Sequence, residues 1–86
     1  MNDPFVVGQA ALWGRKVLKQ HSDPSARIQS LYESAFSRPP SKLEMDATLA
    51  FLSEQAKLHG VTEDHELPWK DLAHAIINTK EFFFLN

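Results

Sequence analysis

Apolar residues recur along this chain with the 3.6-residue period of amphipathic helices, in four blocks set apart by proline, glycine and polar links. In the first block Val6, Ala10, Trp13 and Val17 fall at i, i+4, i+7 and i+11, with Leu18 beside them. Asp3 is a good N-cap and Pro4 suits the first helical position, so a helix starts there and ends near His21-Ser22. Gly8 and Gly14 each cost this helix ~1 kcal/mol relative to alanine. Close approach of another helix is expected at Gly14.

Asp23-Pro24 repeats the same start. Ile28, Leu31, Tyr32, Ala35 and Phe36 then share one face, and Arg38-Pro39-Pro40 stops the helix because proline lacks the N–H and disfavours α geometry in the residue before it. Ser41 and Glu44 form a capping box that opens a third helix over Lys42 to Leu58, whose most apolar positions are Leu49, Phe51, Leu52 and Ala56. Gly60 terminates it, and the polar stretch 61–67 is the one real loop. Pro68 opens a fourth helix with Trp69, Leu72, Ala73, Ile76 and Ile77 on its apolar side. Asn78-Thr79 is expected to break it, with Thr79 capping a final turn at Lys80-Glu81-Phe82 that leads into Phe83-Phe84-Leu85.

These signals predict an all-α fold: a small four-helix bundle-like domain with short connections and a short C-terminal turn, residues 1–86 forming a single domain. Eighty-six residues lie near the lower size limit for an unaided core, and the absence of cysteine leaves packing to supply the stability. No apolar run approaches the ~20 residues of a membrane span, and Asp3-Pro4 stand where a signal peptide would carry basic residues. The net charge of −2 does not point to nucleic acid. Its two halves differ, with residues 1–42 at +3 and residues 43–86 at −5, a split that suits mutual attraction of the halves and ordinary solvated helix faces.

Candidate chemistry is sparse. His59 and His65 flank a loop carrying Glu63, Asp64 and Glu66, yet no i, i+4 histidine pair exists and a c-type haem attachment needs cysteine, so no metal site and no cofactor are expected. His74 reads as a half-buried helix residue. The serines sit at caps or helix surfaces, and no phosphate-binding glycine loop is present, so the chain reads as not an enzyme. Arg15, Lys16 and Lys19 make a small basic cluster near Trp13, read as solvated helix rather than a nucleic-acid footprint. The structural residues singled out are Arg38, Pro39, Pro40 and Glu81: Arg38 at the rigid corner, clamping the tail through Glu81. Trp69, Phe83 and Phe84 are the expected contact surface, because a free apolar end must either fold back or meet a partner.

Three segments, MNDPFV, ARIQSLYESAFSRPPSKLE and WKDLAHAIINTKEFFFLN, resemble the C-terminal part of a large family of planctomycete proteins of unknown function. The family pattern runs N-D-P-F-V, then R-I-x-x-L-Y-x-x-A-x-x-R-P-P, then W-x-D-L-x-x-A-L-x-N-x-x-E-F. Asn2 to Val6, Arg27 to Pro40 and Trp69 to Phe82 occupy those places, with Ile76 or Ile77 for the usual leucine and Phe36-Ser37 where leucine-glycine is common. The L-Y…R-x-P…E-F core is more distantly similar to phycobilisome-linker-like helical repeats. The resemblance implies an exported, multi-domain parent, often with a cytochrome-c-like domain elsewhere, and a periplasmic or cell-envelope location. It makes this chain an excised C-terminal module whose partners are the remainder of the parent or an envelope protein. The expected function is a non-catalytic docking module, the alternative being a regulatory or substrate-positioning part of an exported redox protein or enzyme.

Overall fold

The computed structural model describes the backbone of residues 3–85 and the side chains of residues 3–79. Four helices follow one another, α1 (Pro4–Gln20), α2 (Pro24–Phe36), α3 (Lys42–His59) and α4 (Glu66–Leu85), and no strand occurs among the described residues. Each of the first three starts where the sequence places a cap. Asp3 Oδ1 accepts from Phe5 N at 2.8 Å and Asp23 Oδ2 from Ala26 N at 3.1 Å, each followed by proline in the first turn. Ser41 and Glu44 close a full capping box on α3.

The ends have equally local causes. Ser37 caps α2 in the left-handed conformation at φ 58, one residue before Arg38-Pro39-Pro40, so the chain has already turned when the prolines arrive. Gly60 ends α3 at φ 68, and the Val61 N–H donates to the Ala56 carbonyl in the manner of a Schellman motif.

The fourth helix differs from expectation at both ends. It begins at Glu66, two residues before Pro68, because proline in a first turn leaves no needed donor missing. It then runs through Asn78-Thr79 to Leu85 without a break. The Thr79 hydroxyl donates to the Ala75 carbonyl at 2.9 Å, one turn back, so threonine sits inside the helix instead of capping a new one.

The most extensive packing joins α1 to α4. Gly14 permits it: a Cβ there would stand 3.0 Å from Lys70 N and 3.1 Å from Trp69 C, both backbone atoms. The core gathers Val17, Ile28, Leu31, Leu52, Trp69, Leu72 and Ile76 from all four helices, with Trp13, Tyr32, Phe36 and Phe51 packed against it. Trp69 is 1% exposed, which removes it from the expected contact surface: the apolar face of α4 that carries it is the inner face, against Gly14 of α1.

One buried charge belongs to this core. Arg27, 7% exposed, donates from Nε to the His21 carbonyl at 2.6 Å and from Nη1 to Asp64 at 3.0 Å. It thereby satisfies the end of α1 and draws the α3–α4 loop inward. The Trp69 indole N–H donates to the Glu63 carbonyl at 2.8 Å and fixes the same loop from the other side.

Candidate functional site

On the side away from α1, helices α2, α3 and α4 leave an open groove of about 850 Å³. That volume falls within the usual range for small-molecule and peptide clefts. Tyr32 and Phe36 of α2, Phe51 of α3, and Leu72 and Ile76 of α4 give it apolar walls. Periodicity explains the set. Tyr32 and Phe36 stand one turn apart and their rings meet at 5.4 Å in a tilted pair, while Leu72 and Ile76 stand one turn apart on α4.

Polar contacts hold the walls in place. Thr48, buried under the groove, donates to the Glu44 carbonyl at 2.7 Å. Its single hydroxyl proton being used there, the contact at 3.4 Å with Tyr32 has the phenol as donor. That bond ties the α2 wall to α3.

Arg38 and Glu44 form the rim at the corner between α2 and α3. The guanidinium makes a forked pair with the carboxylate at 2.7 and 2.9 Å and lies 5.8 Å over both the Tyr32 and Phe36 rings. Glu44 also accepts from the Ser41 N–H at 2.8 Å. The Arg38 hydrogen bonds, followed by the Ser41 backbone donor, lower the Glu44 carboxyl to about 2, and the Glu44 hydrogen bond raises Arg38. A carboxylate held so far below neutrality does not shuttle protons at neutral pH, and arginine does not either. The rim of the groove is thus held as an ion pair.

The residues singled out from sequence divide clearly. Arg38, Pro39 and Pro40 lie between α2 and α3, and the partner of Arg38 among the described side chains is Glu44. The side chains of Glu81, Phe83 and Phe84 lie outside the described residues. His59 Nε2 lies 2.6 Å from Asp71 Oδ2, which joins the end of α3 to α4. His65 instead accepts from the Leu67 N–H at 3.2 Å at the start of α4. The two histidines therefore serve separate contacts, and no group of three or more possible metal ligands occurs among the described residues. His74 is half-buried in α4. Arg15, Lys16 and Lys19 are exposed along α1, with Arg15 3.9 Å from Glu66, while Trp13 packs inward.

Two features escaped the sequence reading. The groove is lined by residues of three helices at once, a tertiary property with no local signature. The buried role of Arg27 did have one: it sits four residues before Leu31, on the stripe that α2 buries. No helix among the described residues is long and apolar enough to cross a membrane. No family model matches the chain, and no curated protein or solved structure matches it either.

Proposed function

We propose that this chain is a non-catalytic helical docking module of a larger exported protein, and that an apolar segment from the remainder of the parent, or from an envelope protein, enters the groove between α2, α3 and α4. The observation that carries this reading is the groove itself: aromatic and aliphatic walls, with rim charges that neutralise each other. Aromatic side chains supply large contact area at low entropic cost, and they are enriched where proteins meet. The resemblance to the C-terminal part of exported planctomycete proteins supports the setting.

Ala75 gives a clean test, because it lines the groove from an exposed helical position. Ala75→Arg fills the cleft without disturbing the core. Co-purification of the wild-type module with the upstream region of its parent, lost in Ala75→Arg with the melting temperature unchanged, is the expected result. Association that survives the substitution would refute the groove as the docking site.

A further inference from the structure

The outer face of α3 carries a second surface, which meets the groove at Ala47. Leu43 and Leu58 are 80% and 73% exposed, among the most exposed large apolar side chains described. Ala47 and Ala50 are exposed between them, and positions 43, 47, 50, 54 and 58 share one face of the helix. The opposite side of α3 is the one that buries Thr48, Leu52 and Ala56. The arrangement is thus a leucine at each end of the helix, about 22 Å apart, with small residues at the middle.

We infer that this face pairs with the same face of a second copy of the chain, the two α3 helices running antiparallel about a two-fold axis near Ala50. The pattern is self-complementary, as an isologous contact requires. Antiparallel pairing brings Leu43 of one copy onto Leu58 of the other, twice, while Ala50 at the centre lets the backbones approach. It also sets Asp46 of one copy beside Lys57 of the other, on the same flank of both helices. Asp46 now holds an exposed contact of 3.1 Å to Lys42, and Lys57 is exposed in the last turn. Glu54 falls on this face too, opposite Ala47 of the second copy, whose short side chain leaves the carboxylate its water. A parallel pair would instead turn that flank toward the opposite flank of the second copy, leaving Asp46 near Glu44 and away from Lys57. The charges therefore select the antiparallel direction.

Sedimentation velocity over a concentration series reads the proposal directly. The wild-type protein should show a reversible monomer–dimer equilibrium, and Leu58→Glu should weaken it at least about tenfold with the fold intact by circular dichroism. Lys57→Asp and Asp46→Lys should each weaken the dimer, and the double exchange should restore it. A wild-type chain that stays monomeric up to millimolar concentration overturns the proposal, as does a dimer indifferent to Leu58→Glu. Failure of the double exchange to recover association overturns the antiparallel register. Asp46, Lys57 and Leu58 lie outside the groove lining, so these variants leave the groove to be tested separately by Ala75→Arg.

Discussion

The guanidinium of Arg27 lies 5.3 Å over the indole of Trp69, so the most buried aromatic in the core has a cation on its face. The same arginine bonds the end of α1 and, through Asp64, the loop before α4. The two ends of the Arg27–Asp64 pair differ sharply, with side chains 8% and 74% exposed. Removing the buried end should cost far more than removing the exposed one. Arg27→Ala leaves the His21 carbonyl unpaired and uncovers Trp69, and a loss of about 2–4 kcal/mol is expected. Asp64→Asn gives up a largely solvated charge and should lose no more than about 1 kcal/mol. Urea denaturation of the two variants measures the difference, and equal losses would mean that Arg27 acts only through Asp64.

The two glycines of α1 should respond to alanine in opposite directions. At Gly14 the new methyl meets the α4 backbone at 3.0–3.2 Å, and backbone cannot swing aside as a flexible side chain does. Gly14→Ala should destabilise by about 1–3 kcal/mol through forced separation of α1 and α4. At Gly8 nothing lies within 4 Å, so the gain in helix propensity is unopposed and Gly8→Ala should stabilise by up to about 1 kcal/mol. Thermal melts of the two variants should move to opposite sides of the wild type.

How much of this was legible in the sequence depends on whether the cause was local. Helix starts at Asp3, Asp23 and Ser41 and the stop at Gly60 follow from side chains within a turn of the backbone they satisfy, and the structure places them as read. The close contact at Gly14 was legible because that glycine lies on the buried stripe with Ala10 and Val17, whereas Gly8, off the stripe, has open space around it. Thr79 was misread because its hydroxyl has two uses, capping the next helix or bonding back into its own, and only the continuing helix decides between them. Trp69 was read as a surface contact and is buried, since one apolar stripe looks the same whether it meets a neighbour or a partner. The groove and the Arg38–Glu44 rim require three helices at once. Arg38 and Glu44 are six residues apart across a turn, and no helical spacing announces their pairing.

That rim pair should be visible in acid. The Glu44 carboxyl falls from an ordinary 4.5 to about 2 because ionisation is favoured by Arg38 and by the Ser41 N–H. A carboxyl whose folded value is depressed lends stability above its unfolded value and withdraws it as pH falls toward the folded one. The contribution is therefore present above about pH 4.5 and fades between there and about pH 2. Glu44→Gln should be less stable than wild type near neutrality, with the gap between them narrowing through that window. Urea midpoints of both proteins at several acidic pH values check this, and a gap that does not change with pH would show that Glu44 contributes through its cap geometry without its charge.

The role of Thr79 can be decided by a single methyl-sized substitution, because the two readings of the residue predict opposite signs. An N-cap threonine replaced by alanine costs typically ~1 kcal/mol, since the first-turn N–H groups lose their acceptor. A threonine inside a helix, exposed and bonded back to the carbonyl four residues earlier, instead carries the propensity penalty of a β-branched side chain. Alanine relieves that penalty and forfeits no donor the backbone needs, because the Ala75 carbonyl keeps its own place in the ladder of α4. Thr79→Ala should accordingly raise stability by a few tenths of a kcal/mol, up to about 0.7. Helical ellipticity should rise with it. A fall of about 1 kcal/mol would instead return Thr79 to the start of a separate terminal turn and divide α4 in two.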